Sequence, residues 1–424
     1  MKENSLRYFY IFWSTQALSQ LGSSMTAFAL TLWLYEKTGS ALSTAALTIC
    51  TYAPYVLMSI FAGALTDKLS KKKTMLVCDF LAALCTLTVF MLYKADILAI
   101  WHLYVVNVLS GLMNTVQQPA SEVALTLIVP KEHYQKISGL KNLSRSLISV
   151  LNPLIASALY AFAGLEIVIA ADLSSFVIAF AALALLIRIP ETQRTDNQNT
   201  WEMVKEGLSF LRRTPMILTL ILFMSGVNLI SSAFNATLPA YVISNPKGGT
   251  AIYGIMTSVS GAAMVLGSIL VSFLPKPKDR VRVIFVTMLI SLGSENFILA
   301  FSREPVIWMI AQIMGWILIP VMSTNLEVIL RSMIPVELQG RVYACRNSLQ
   351  FFTIPIGLFL GGWMVDQVCE PFMKSHSSSQ ILTTLFGSGK GSGAALMLLI
   401  LGITGSLLCI LTGNRLKNYH FREQ

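Results

Sequence analysis

The chain has 424 residues, 54% of them hydrophobic and only 12% charged, where an ordinary soluble domain carries roughly 25% charged residues. That balance excludes a soluble globular fold and reads as an integral membrane protein. The net charge of +10 calls for no nucleic-acid partner, because attraction to anionic inner-leaflet lipid and the bias of basic residues toward cytoplasmic loops account for it.

Apolar stretches of about 20 residues cross a hydrocarbon core as helices, since a spanning backbone must satisfy its own hydrogen bonds. Twelve are legible in chain order: 8–35, 45–65, 74–93, 100–121, 143–163, 167–189, 216–242, 252–274, 282–300, 305–330, 341–365 and 394–411. With the N-terminus inside, Lys2, Arg7, Lys71 to Lys73, Lys131, Lys136, Arg212, Arg213, Arg280, Arg341 and Arg415 all fall on the cytoplasmic side. Only Lys37, Lys94, Lys247, Arg303, Lys374 and Lys390 fall outside. Both termini are therefore expected in the cytoplasm. The first stretch lacks a small-residue cleavage site and is expected to stay as helix one. The six cysteines imply no disulfide framework, and the four histidines have no metal-ligand spacing.

Helix one carries Gln16, Ser19, Gln20, Ser23 and Ser24; helix four carries Asn107, Asn114, Gln117 and Gln118; helix seven carries Ser225, Asn228, Ser231, Ser232 and Asn235. Spacings of three, four and seven place many of these on common faces, which suit a water-filled cavity or, alternatively, polar contacts between helices. Gln16, Gln20, Asn114, Gln117, Asn228, Ser232 and Trp316 are the candidate cavity residues. Glu295 lies deepest among the acids and is the candidate for carrying a proton; a helix-contact carboxylate bonded to a neighbouring serine or asparagine is the alternative. Asp79 and Asp172 sit about one turn inside helices three and six, and structural ion pairing is expected for them.

The hydrophilic stretch 190–215 divides the helices six and six, with Trp201, Val204, Leu208 and Leu211 spaced as an amphipathic surface helix. The expected domains are 1–189, a linker 190–215 and 216–424. The halves resemble each other: Pro335 follows Pro130 by 205 residues, as Arg346-Asn347 follows Lys141-Asn142. Gly63 and Gly267 each precede a basic elbow.

Between helices two and three the chain reads Gly63-Ala-Leu-Thr-Asp67-Lys68-Leu-Ser-Lys71-Lys72-Lys73. This resembles the signature loop of the major facilitator superfamily, with Gly63, Asp67, Lys68, Lys71 and Lys72 in place and Ser70 for the usual glycine. The resemblance implies an all-α membrane fold of twelve transmembrane helices in two pseudo-symmetric six-helix bundles. It also implies a gate in which Asp67 reaches the start of helix eleven, where Gly340 and Arg341 lie. Asn152-Pro153-Leu-Ile-Ala156-Ser157 resembles the antiporter motif of drug exporters, with Asn152, Ala156 and Ser157 in place of glycines.

The segments Tyr35 to Ala41, Gln118 to Ala120, Val129-Pro130 and Gly340 to Val342 resemble the macrolide-efflux and enterobactin-exporter branch. That resemblance implies a proton-coupled efflux transporter of amphiphilic molecules, working by alternating access in a bacterial inner membrane. It would be a monomer with protons and lipids as partners, without cofactor or metal and without enzymatic activity. A lipid or siderophore exporter of the same fold is the alternative. A non-transporting receptor would need a sensory or catalytic set that the sequence lacks.

Overall fold

The computed structural model describes the backbone of residues 2–68, 70–128, 134–187, 189, 200–275 and 277–416. Within it, the surroundings of residues 2–7, 59–68, 119, 122–123, 126–127, 134–139, 141–142, 200–204, 272, 336–337, 339–340 and 344 lie outside the description. Every regular element among the described residues is a helix. The helices are α1 (Lys2–Thr38), α2 (Ala41–Lys68), α3 (Lys71–Lys94), α4 (Ile100–Ile128), α5 (Tyr134–Ala181), α6 (Thr200–Arg213), α7 (Pro215–Ile243) and α8 (Thr250–Phe273). They continue with α9 (Arg280–Phe301), α10 (Pro305–Trp316), α11 (Ile319–Met333), α12 (Val336–Phe351), α13 (Thr353–Trp363), α14 (Glu370–Ser375), α15 (Gln380–Phe386) and α16 (Ser392–Leu416). Nine stretches among the described residues are long and apolar enough to cross a membrane.

Helix breaks and kinks decide how these stretches are used. The apolar run 143–186 spans 44 residues, or about 66 Å of helix, twice the thickness of a hydrocarbon core. It folds back at Gly164, whose φ of 78° is open to glycine and strained for other residues. The expected helices five and six are thus the two arms of α5. Expected helix ten is one apolar span, Pro305–Met333, kinked where α10 ends at Trp316 and α11 begins at Ile319; Ile317 and Leu318 between them keep helical φ/ψ. Pro320 has no N–H to return to the Trp316 carbonyl, and its ring crowds that turn. Expected helix eleven likewise kinks between α12 and α13 at Phe352, which keeps helical φ/ψ, ahead of Pro355. It continues through a π-helical segment, Met364–Cys369, into α14. The short helices α14 and α15 have no counterpart among the elements expected from the sequence.

Contacts divide the chain into two compact units, 1–37 with 46–196 and 38–45 with 197–424. The first turn of α2 therefore belongs to the second unit, and the rest of that helix to the first.

In the first unit two apolar clusters are strung along the same helices. One gathers Met25, Ala29 and Leu34 of α1, Val89 of α3, Leu103 of α4, and Ala156, Leu165 and Ile169 of α5. The other gathers Phe9 and Phe12 of α1, Met75 of α3, Ala120 and Ala124 of α4, and Leu183 and Ile187. Between them the same helices carry Gln16, Asp79 and Gln117, so a polar layer is sandwiched by two hydrocarbon layers.

In the second unit α7 is, with α9, among the most enclosed helices, with buried residues from Met216 to Val242. It stabilises the α12–α13 kink. Ser225 Oγ donates to the Leu349 carbonyl at 2.8 Å, Asn228 Nδ2 to the Gln350 carbonyl at 3.1 Å, and Thr353 Oγ1 to the Ser225 carbonyl at 2.8 Å. Carbonyls freed by a helix kink need such partners in an apolar surround. The amphipathic α6, expected as a surface helix, packs one face against α12, where Gly207 abuts Arg341 and Cys345 and Leu211 is buried, and leaves Lys205, Glu206, Arg212 and Arg213 exposed.

Candidate functional site

Glu295 sits on α9, 5% exposed, beside the kink between α10 and α11. Trp316, the last residue of α10, donates its indole Nε1–H to Glu295 Oε1 at 2.9 Å. Gly315 makes this approach possible, since a β-carbon there would meet the Glu295 carboxyl group and side chain. Ser291, one turn back on α9, donates to the Gly315 carbonyl. Two hydrogen bonds thus join α9 to the end of α10. The sequence offered serine or asparagine as a structural partner for Glu295; the partner is an indole instead. Nearby on the same two helices, Gln312 Nε2, Asn296 Oδ1 and Ser294 Oγ are buried without a hydrogen-bond partner. Gln312 lies one turn before Trp316 and is 1% exposed. An unpaired buried amide in such a setting is costly and seldom purely structural.

A second acid lies in the polar layer of the first unit. Gln117 Nε2 on α4 donates to Asp79 Oδ1 on α3, and Gln16 on α1 faces the same carboxyl. Asp79 Oδ2, Gln16 Nε2 and the indole nitrogen of Trp13, one turn before Gln16, are buried without partners. The expected ion pair at Asp79 is not found among the described residues: its neighbours are neutral amides. The same correction applies to Asp172, 3% exposed, which accepts from Ser23 Oγ of α1 at 3.0 Å. Hydroxyls and amides satisfy a carboxyl at membrane depth without the desolvation cost of a second charge.

Two further acids cap helices. Asp366, in the π-helical segment, accepts from Ser40 Oγ at 2.6 Å, from the Leu42 N–H at 2.9 Å and from the Ala41 N–H at 3.0 Å. It closes the first turn of α2, whose N–H groups have no partners within the helix. Glu370 Oε1 accepts from the Gly391 N–H at 2.7 Å just before α16. Sequence reasoning passed over both acids, because a cap donated from a remote element leaves no local spacing signal. The cap expected from Asp67 falls outside this description: Gly63, Asp67, Lys68 and Gly340 are not among the residues whose surroundings are described.

Of the other gate residues, Lys72 Nζ donates to the Ala184 and Ile187 carbonyls at 3.0 and 2.7 Å. There it satisfies the carbonyl end of the last turn of its own unit. Lys71 is buried, and Arg341 pairs with Glu206 of α6. In the antiporter-like segment Pro153, Ala156 and Ser157 are buried, Ser157 donating to Leu154 O at 3.2 Å, while Asn152 Oδ1 has no partner. Of the cavity candidates, Gln16 and Gln117 meet at Asp79, and Trp316 meets Glu295. Asn228 bonds across to α12 and Ser232 is buried beside Gly357. Gln20 and Asn114 are exposed.

Nine stretches long and apolar enough to cross a membrane among the described residues define a multi-pass membrane protein. A family model described as Major Facilitator Superfamily matches residues 12–276, and the chain belongs to that superfamily. Macrolide efflux protein A of Streptococcus pyogenes is 27% identical over 370 residues, covering 85% of this chain and 90% of that protein. Macrolide efflux protein A of Enterococcus faecalis is 26% identical over 317 residues, covering 72% and 96%. The multidrug efflux pump Tap of Mycolicibacterium fortuitum is 24% identical over 357 residues, covering 81% and 86%. Among solved structures, the nucleoside transporter NupG matches with a TM-score of 0.73 at 12% identity, covering 97% of this chain and 99% of that one. A bacterial homologue of the lysosomal transporter Spinster also gives 0.73 at 12%, covering both chains fully. Within the superfamily the chain resembles the macrolide-efflux branch, and its substrate is a small molecule.

Proposed function

We propose that the protein expels amphiphilic, drug-like molecules across a bacterial plasma membrane in exchange for protons, by alternating access. The observation that carries this reading is Glu295: a carboxyl buried at a helix kink and held by one indole donor, on a pair of helices where Gln312 Nε2 and Asn296 Oδ1 lack partners. An acid so placed gains or loses a proton at the expense of its surroundings, and the α10–α11 kink beside it is a joint able to respond. The efflux direction and a macrolide-like substrate rest on the names of the relatives. In this reading 1–189 and 216–424 are the two six-helix bundles, 190–215 links them, both termini are cytoplasmic, and the working form is a monomer among membrane lipids. Gly63, Asp67, Lys68, Lys71, Lys72, Gly340 and Arg341 serve as gate, and Gln20, Asn114, Asn228 and Ser232 contribute to the substrate path with Trp316.

The test is accumulation of ethidium and erythromycin in everted membrane vesicles from cells making the protein. Uptake that depends on an imposed pH gradient, collapses with an uncoupler and is lost in Asp67→Asn and Glu295→Gln supports the proposal. Uptake indifferent to the gradient removes proton coupling, and no uptake of either compound removes the substrate class.

A further inference from the structure

The first unit contains an acid that the proposed function leaves unused. Asp79 lies in the polar layer between two apolar clusters, on a helix whose run 71–94 is apolar enough to span a membrane. One oxygen accepts from Gln117, the other is buried without a partner, and so are the Gln16 amide nitrogen and the Trp13 indole nitrogen on the facing helix. Among the described residues no cation balances it. On α3 itself the nearest charges are Lys71, Lys72 and Lys73, about two turns away, with Lys72 committed to the Ala184 and Ile187 carbonyls. The adjoining titratable side chain is the Cys78 thiol. From α1 comes Gln16, and from α4 comes Gln117, with the Glu122 side chain outside the description. From α5 comes Arg145, which is exposed.

A lysine or arginine at this place would hold the carboxylate charged. Amides do not, because each offers a donor and an acceptor. With Asp79 charged, the Gln16 NH2 group can turn to Oδ2. With Oδ2 protonated, the Gln16 carbonyl can accept the new O–H after the amide rotates, while Oδ1 keeps its bond from Gln117. Both protonation states are then satisfied by the same side chains, as a reversible proton site requires.

From this arrangement we infer that Asp79, framed by Gln16 and Gln117, is a proton-binding site of the transporter separate from Glu295. The proton enters on Oδ2 and leaves from it, and nothing else is consumed. The inference rests on the proton-coupled reading only for its role in transport; the binding of the proton stands apart from it.

The test tracks the infrared C=O band of protonated carboxyls in the purified full-length protein as pH is varied. Asp79→Asn loses one titrating band that Glu295→Gln retains, and Gln117→Leu moves the midpoint of that band while the Glu295 band stays in place. In liposomes, Asp79→Asn keeps ethidium exchange at equal pH and loses the response to a pH gradient, and Asp79→Glu restores it. An unchanged set of bands in Asp79→Asn overturns the inference, as does a gradient response equal to wild type. Loss of ethidium exchange as well in Asp79→Asn overturns it too, by making Asp79 a substrate ligand or a structural prop. If Asp79→Asn does not fold, the midpoint in Gln117→Leu decides: an unmoved band overturns the inference. A wild-type protein that ignores the gradient while the Asp79 band still titrates defeats proton coupling and leaves the proton site intact.

Discussion

Glu295 and Asp79 are both acids buried among membrane helices, yet they are held differently. Glu295 belongs to a joint: its donor is the last residue before a helix kink, and Gly315 admits the carboxyl against the backbone. Asp79 belongs to a layer: its donor lies mid-helix on an unbroken neighbour, and half of its hydrogen-bonding capacity is unmet. The difference teaches that one protein can host acid chemistry in a membrane in two ways, by tying a carboxyl to a part able to move or by surrounding it with groups indifferent to its charge.

Gly315→Val strikes the joint hardest. A branched side chain there collides with Glu295, and the expected cost is about 3 kcal/mol or more, from overpacking together with the broken indole bond. It would be read as a lowered melting temperature in detergent; a melting temperature equal to wild type contradicts the close approach. Glu295→Gln keeps the shape and an acceptor for Trp316, so stability holds while gradient-driven efflux falls to background and equal-pH exchange persists. Efflux at the wild-type rate in that variant would reduce Glu295 to a packing residue.

Trp316→Phe leaves the ring and removes one donor from a buried acid, for a loss of about 1.5–3 kcal/mol if the acid is charged. Gln117→Leu in the other unit should cost less than this, because the Gln16 amide faces the same carboxyl and can turn to take the lost donor's place. Measuring both by denaturant unfolding sharpens the contrast, and equal losses would erase it. Asp366→Ala removes the cap on α2, worth about 0.5–2 kcal/mol, and should show as faster hydrogen exchange at the Ala41 and Leu42 amides. Smallest of all, Arg331→Ala breaks an exposed pair with Glu327 and should change stability by no more than about 0.5 kcal/mol.

Much of the fold was legible because spanning helices announce themselves: the stretches around α3, α7, α8, α9 and α16 are continuous apolar runs flanked by charge or proline. The turn at Gly164 was legible for the same reason, since a run of that length cannot cross once. The kinks at α10–α11 and α12–α13, within spans that were read, were not themselves read, although Pro320 and Pro355 marked them, because proline inside a membrane helix does not always interrupt it: Pro54, Pro153 and Pro239 lie within α2, α5 and α7. For the sites, the residue types pointed to Glu295 and to the polar faces of helices one, four and seven. Partners were another matter. Trp316, Gln117 and Gln16 were chosen as cavity residues with no hint of the acids they sit beside, and the helix caps of Asp366 and Glu370 left no sequence signal.

The sequence by itself determined that the chain lives in a membrane, which segments become helices and which family it belongs to, because hydrophobic length and a short basic motif are local properties that survive without knowledge of neighbours. Only the tertiary structure decided which acids face which donors, since Asp79 and Gln117, or Ser40 and Asp366, are brought together by packing across long separations in the chain. A carboxyl's chemistry is fixed by the few ångströms around its oxygens, and in this protein other helices supply those ångströms.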